Sequence, residues 1–586
     1  MTTSQVNTCD ADCGITQSSD ASAIHVLFDT CQRILNQHRA ANRDIYRLVD
    51  LKKQQAVTSG QSLSPVDSNH TVPASEHKTQ PSIFDMPLRG AELRAKMRIS
   101  HHEIRQKVLA THADIVPRTR AHNRKCTYSS LTEEKEFRSD VVAAQIKSWR
   151  SMLRQLINRF SKLPDYRKAS TIKHKTTVLM IYGLFAFIFK LSSRREMNRK
   201  LSGALIFEHM KKIFPELDSI PHADTLVRLL ERTDSKKIEE IHISLIRDLI
   251  KKKKFSKLLI QGCLPITIDG SQKLYRQGIR QDERWCEREI GTKEIKDTQQ
   301  YVYVLEANIT LRNGLNIPLM SEYLYRSNNK LEQDVGKQDS ETTAFERLTK
   351  RLKQYFPRLK IILFLDAMFA TQFLMGIMHD YKWEYVISLP KKKLTDLAKQ
   401  LNKQKVSCIS LPEQPYYRKR HQSFYWLNDI QYGYEWQLNI NLIACAESYD
   451  KVNHKTGEIE KQYSEHTWIS SIPATIENLH ELFNLGMRKM WLAEDSFNTE
   501  KNRGYNYKHA FSYQLNAMQG FHLLMRLGHA INALSEFAKT LKKYIKSLGC
   551  SATMQLIKET LFSPWLPLEW YDEQILKIPQ LRLQLE

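Results

Sequence analysis

LPITIDG, residues 264–270, and IILFLDA, residues 361–367, decide the fold between them. Each is a short, nearly unbroken apolar run that ends on an aspartate. Such runs of four to eight residues fit strands buried on both faces. Asp269 and Asp366 therefore stand at strand ends. A third acid, Glu494, opens the stretch EDSFNTEKNRGYNYKH. Any one of these acids alone is most simply a solvated turn residue. Together they are the oxygen set that a divalent-metal phosphoryl-transfer site needs, with metal ions stabilising the attacking and leaving oxygens.

Working outward from the first run, strands are expected at 264–269, 301–310 and 316–324, the last two joined by the hairpin turn Arg312-Asn313-Gly314. A helix over 340–356, a strand over 361–366, a helix over 370–381 and a strand over 384–389 follow. On the amino-terminal side, residues 139–255 carry apolar positions at helical spacing, as in Ile146, Trp149, Met152, Leu153, Leu156 and Ile157. Basic residues interleave with them, including Arg194, Arg195, Arg199, Lys200, Lys211, Lys212 and the run Lys251 to Lys254. A charge run is usually a solvated face; a whole basic helical segment ahead of a metal site suits a phosphate backbone.

Residues 391–472 interrupt the strand–helix order. They begin Lys391-Lys392-Lys393 and interleave Tyr416, Tyr417, Arg418, Lys419, Arg420 and His421 with Tyr425, Trp426, Tyr432, Tyr434 and Trp436. Two readings stand: a β-hairpin whose aromatics form its own small core, or a DNA-facing insertion with cations for phosphates and rings for unstacked bases. The expected organisation is an extension over 1–138 with a short helical pattern at 22–54 and a Ser/Pro-rich linker at 55–85. A helical DNA-binding domain over 139–260, a catalytic domain over 261–390 and 473–547 split by the insertion, and a tail over 548–586 complete it.

Composition sets the partner class. The 586 residues carry a formal net charge of +24, and 41% are hydrophobic. This basic excess favours a polyanionic partner, nucleic acid first. The longest apolar stretch, Val178 to Phe189, falls short of the roughly 20 residues a bilayer span takes. The opening MTTSQVNTCDADCG is polar, without the apolar core of a signal peptide, so a soluble, cytoplasmic protein is expected. The nine cysteines are odd in number and form no CxxC pair, which points to reduced thiols.

Glu494 and Lys501 are two helical turns apart, with Asn498 between them, so a helix starting near Met487 presents all three on one face. An ordinary Glu/Lys-faced surface helix gives the same spacing. At this point the chain resembles the bacterial insertion-sequence transposases with a DDE triad, in the group whose third-acid helix carries a tyrosine–arginine–glutamate–lysine signature. The likeness spans roughly residues 164–535 and rests on ITIDGS, on KQDSETTAFERLTKRLKQYFPRLKIILFLDAMFA, and on the W-x-x-E-x-x-FN-x-x-K-x-x-GY-x-x-x-H pattern at the third acid. The chain departs from the signature where Met487 and Met490 take the tyrosine and arginine positions.

The resemblance implies an α/β ribonuclease-H-like catalytic domain in which the first and fourth strands sit side by side, with a β-rich insertion before the third acid. It implies Asp269, Asp366 and Glu494 as ligands of two Mg²⁺ ions, with Mn²⁺ as a substitute. Lys501 becomes the phosphate contact, with Arg488, Asn498 and Tyr505 near it on DNA, and Lys391, Lys392, Arg418 and Arg420 as contacts from the insertion. The implied partners are double-stranded DNA, both terminal repeats and target, and a second copy of the chain in a synaptic dimer. A catalytically inactive DNA-binding relic, or a nuclease of the same fold that cuts without joining, remains the alternative.

Overall fold

The computed structural model describes residues 128–277, 282–291, 296–326, 339–389, 407–411, 420–432, 437–452, 459–576 and 583–585. The helical pattern and linker expected within 1–127, and the contacts expected at Lys391, Lys392 and Arg418, lie outside the described residues. No helix among the described residues is long and apolar enough to cross a membrane. The architecture is mixed α/β. The chain divides into two compact units, the larger taking residues 120–388, 431–440 and 469–586.

Among the described residues of the larger unit six α-helices come first: α1 (Leu131–Phe160), α2 (Thr176–Ile188), α3 (Arg194–Leu201), α4 (Ala204–Ile213), α5 (Ala223–Arg232) and α6 (Ser235–Lys251). Ser130 starts α1 as its N-cap, its hydroxyl accepting from the Glu133 amide at 3.1 Å, and Glu133 and Glu134 sit in the first turn where the helix dipole favours acids. α2, TTVLMIYGLFAFI, is buried at every position. It is the apolar stretch too short for a bilayer, and it packs on the long helix α10 (Leu515–Glu536).

The sheet of this unit contains β1 (Leu264–Gln277), β2 (Cys286–Gly291), β3 (Lys296–Thr310), β4 (Asn316–Tyr323), β5 (Ile361–Leu365) and β6 (Glu384–Ser388). Helices α7 (Glu341–Tyr355) and α8 (Gln372–Asp380) flank β5 in sequence. β1 is antiparallel to β3 and parallel to β5, and β5 is parallel to β6. β3 also pairs antiparallel with β2 and β4. The expected hairpin turn forms: Gly314 takes a φ of 94°, and the Leu311 amide bonds to the Leu315 carbonyl at 2.9 Å. β2 was not foreseen, and β1 runs eight residues past its expected end at 269, to Gln277.

After β6 the smaller unit takes residues 389–430 and 441–468. Its strands are β7 (Ser407–Leu411), β8 (Arg420–Tyr432), β9 (Leu438–Val452) and β10 (Ile459–Ser470), ordered β10-β9-β8-β7, with β7 antiparallel to β8. Phe424, Tyr425, Trp426 and Leu427 of β8 are buried. For Tyr425 and Trp426 the aromatics therefore belong to an internal core.

The chain re-enters the larger unit through a π-helical turn over His480–Gly486 and a 3-10 turn over Met487–Met490, then forms α9 (Trp491–Asn502). α10 follows, and then α11 (Lys539–Leu548), α12 (Cys550–Leu561) and α13 (Leu568–Leu576). α12 and α13 pack back on α1 and α4, and the His209 ring bonds the Leu561 carbonyl at 2.9 Å. Gly486 seats the π turn against β5. A β-carbon there would stand 2.8 Å from Phe364 Cε1, closer than side chains tolerate. Gly486→Ala is expected to lower unfolding free energy by about 1–3 kcal/mol through overpacking. A urea titration checks this, and an unchanged midpoint would show that the turn moves freely off Phe364.

Candidate active site

The β1–β5 register pairs Ile268 with Leu365, so the next residue of each strand, Asp269 and Asp366, comes off adjacent parallel strands at the same level. The crevice beyond the carboxyl ends of parallel strands is where open α/β sheets place ligands. Both aspartates use one oxygen locally in the same way. Asp269 Oδ1 accepts the Gly270 amide at 2.8 Å, and Asp366 Oδ1 accepts the Ala367 amide at 2.7 Å. Each keeps its Oδ2 for other work. Asp269 is half-buried and Asp366 exposed.

Glu494 lies in the first turn of α9 and is exposed, with no hydrogen bond or ion pair among the described residues. Lys501, half-buried in the last turn, has its ammonium 5.1 Å from the Phe497 ring centroid and 5.8 Å from that of Tyr507. Burial lowers the Lys501 ammonium from its ordinary value and Lys508 adds to this, while Asp269, Glu500 and Glu494 pull it back up. The lysine thus sits within electrostatic reach of two of the three acids. Asn498 is exposed on the same helix and accepts from Asn502 at 2.6 Å.

Burial also raises the Asp269 carboxyl above its ordinary range. The Gly270 amide opposes that rise; Glu341, Asp366 and Glu494 reinforce it. Asp366 and Glu494, both expected from sequence, thus lie within electrostatic reach of Asp269, and so does a fourth acid, Glu341. Glu341 opens α7 behind the N-cap Ser340; burial, and then the Glu341 carboxylate beside it, hold the Tyr303 phenol above its ordinary range. The Tyr303 phenol packs against Gly270, where a β-carbon would stand 2.6 Å from its hydroxyl oxygen. Glycine after Asp269 is what lets that ring close over the strand.

Other expected contacts are placed differently. Tyr505 is a correction: it is 1% exposed, its hydroxyl is 2.8 Å from Asn532 Nδ2, and it cannot present a surface to DNA. It serves the core because the turn after α9 folds inward onto α10. Arg420 is engaged inside the smaller unit, paired with the buried Glu447 and stacked 3.8 Å from the Tyr449 ring centroid. Arg488 donates to Asn484 Oδ1 at 3.0 Å one turn earlier. Met487 is buried, and Met490 is partly exposed.

Among the described residues, no three acidic, histidine or cysteine side chains are close enough to cage a metal ion as they stand. The donor chemistry nevertheless fits a hard divalent cation: every candidate donor is a carboxylate oxygen, and two of the acids are open to solvent. A cation among them would offset the burial, and the repulsion added to it, that raise Asp269.

A comparison with curated proteins found no match. Residues 157–246, which run from the end of α1 to α6, match the family model described as DDE_Tnp_1-associated.

Proposed function

We propose that the chain is a DDE transposase whose larger unit is ribonuclease-H-like, and that it cuts DNA at the ends of a mobile element and joins the freed 3′-hydroxyl to target DNA. The observation that carries this reading is the placement of Asp269 and Asp366 side by side at the end of the β1–β5 pairing, with Glu494 and Lys501 of α9 within electrostatic reach of Asp269. The family match on the helices ahead of the sheet supports it. Asp269, Asp366 and Glu494 would hold two Mg²⁺ or Mn²⁺ ions. Bound there, the ions supply Lewis-acid stabilisation and a more acidic water.

The chain's own residues do the positioning. Asp269 and Asp366, at the end of the β1–β5 pairing, are each anchored through one carboxylate oxygen by a backbone amide, which leaves the other for a ligand. Lys501 supplies positive charge beside the phosphoryl oxygens as negative charge builds there. Its low-polarity seat over Phe497 and Tyr507 strengthens that charge relative to one in water. The net charge of +24 suits a DNA backbone, and two copies acting on paired ends would supply the synaptic dimer.

The buried Met487, in the place of the signature tyrosine, favours one second reading: a DNA-binding relic without catalysis. A labelled duplex carrying the element's terminal repeats separates the two. With Mg²⁺ or Mn²⁺, nicking at the repeat boundary followed by strand transfer is expected, and chelation should stop both. Nicking without transfer would mark a nuclease. Retained binding with no nicking in either metal would establish the relic.

A further inference from the structure

Beneath the acids lies a sealed set of charges that the chemistry above leaves unused. Glu306 is the register partner of Asp269 across β1–β3, and Glu500 directly precedes Lys501 on α9. Both are fully buried. Arg526 of α10, itself 1% exposed, stands between them. Its Nη1 donates to Glu500 Oε1 at 3.1 Å; its Nη2 donates to Asn308 Oδ1 at 3.0 Å and to the Ala307 carbonyl at 2.9 Å. Its Nε lies 3.3 Å from Glu306 Oε2. One guanidinium thus grips the third-acid helix and strand β3 at once.

The rest of the set balances the charge. Lys273, four residues past Asp269 on β1, is buried and donates to the Tyr507 carbonyl at 2.8 Å and towards His522 Nδ1 at 3.3 Å. With Nδ1 accepting, His522 carries its proton on Nε2, which donates to Glu306 Oε1 at 2.8 Å. His529 reaches Glu500 Oε1 at 2.7 Å. Glu306 and Glu500 are thereby matched by Arg526 and Lys273.

α9 needs such an anchor. It is entered through irregular π and 3-10 turns, and among its described side chains only Ser496, Phe497 and Glu500 are buried. An apolar seat of that size leaves a helix free to rotate about its axis. The rigid fork of an arginine does not, because its donors fix direction as well as distance.

We propose that Arg526 is a positioning residue: by holding Glu500 against β3 it sets the rotation of α9 at which Glu494 and Lys501 face Asp269. This role rests on the phosphoryl-transfer reading for its purpose, though not for its geometry. The full-length Arg526→Lys protein tests it, since lysine keeps the charge and loses the fork. Affinity for the terminal duplex should stay within about two-fold. Mn²⁺-dependent nicking should fall roughly 100-fold, the scale of an ångström-sized misplacement. The half-saturating Mn²⁺ concentration should rise about 10-fold, as for lost support behind metal ligands. Amide exchange across 491–502 should quicken about 10-fold while that of 264–277 stays as in the wild type. Wild-type nicking together with wild-type exchange would overturn the proposal. If Arg526→Lys does not fold, Glu500→Gln, nearly identical in shape, should move the same readouts in the same directions. A wild type that never nicks would remove the phosphoryl-transfer reading; the exchange of 491–502 then decides the clamp alone, faster exchange supporting it and unchanged exchange refuting it.

Discussion

Asp366→Asn is expected to lose metal-dependent nicking by roughly 1,000-fold or more, since several kcal/mol of charge stabilisation go with one carboxylate ligand. The fold should be indifferent. Asp366 is exposed, and the oxygen that accepts the Ala367 amide remains in asparagine, which caps as well as aspartate does. Binding of the terminal duplex should therefore persist, with a melting temperature close to that of the wild type. Asp269→Asn should match it in activity but differ in stability. The folded Asp269 carboxyl is raised, so its contribution is complete below the unfolded value and is lost as pH rises through the folded one. At neutral pH the ionised group opposes folding, and its amide replacement should melt higher. Nicking by either variant at the wild-type rate would remove these carboxylates from the chemistry.

The largest stability effect is expected at Arg526→Met, about 3–5 kcal/mol, because Glu306 and Glu500 would remain buried with one of their two cations gone. Acid titration gives the signature. Although burial alone would raise it, Glu500 is pulled down to about 2, chiefly by Arg526 and then by His529. A lowered carboxylate contributes stability that is present above the unfolded value, near 4.5, and is lost as pH falls towards 2. In Arg526→Met that acid-side loss should shrink, because the charge that lowered Glu500 is absent. Denaturant unfolding at several pH values between 2 and 7 measures it. A variant as stable as the wild type, with an unchanged acid limb, would show that the buried carboxylates do not depend on the guanidinium.

Where the backbone pattern was strong, the chain was legible. The apolar runs before Asp269 and Asp366 are buried strands because nothing polar interrupts them, and the turn at Gly314 follows from a residue free to take positive φ. β2 escaped notice because CEREIG, with three charges in six residues, carries no alternation that marks a strand; pairing to β3 makes it one. Glu341 escaped because an acid in the first turn of a helix is ordinary, and only the tertiary approach of α7 brings it near Asp269. Tyr505 was misplaced because sequence position beside Lys501 does not tell which way a turn folds. The charged clamp had a signal that went unused: His522, Arg526 and His529 are spaced by four and three, so they lie on one stripe of a helix that is otherwise mostly apolar. Polar residues repeating along a buried face need partners, and theirs are Glu306 and Glu500.

The order in which these parts leave the ribosome has its own consequence. Asp269 and Asp366 are made early, Glu494 arrives only after the whole smaller unit has been synthesised, and Arg526 comes later still. Contacts that close such long loops form late. A nascent or prematurely ended chain would thus present positive charge and the two aspartates without an aligned third acid. On the phosphoryl-transfer reading proposed above, competence to cut DNA would be withheld until Glu494 and Arg526 have both been made, which makes the long detour between the second and third acids a form of timing.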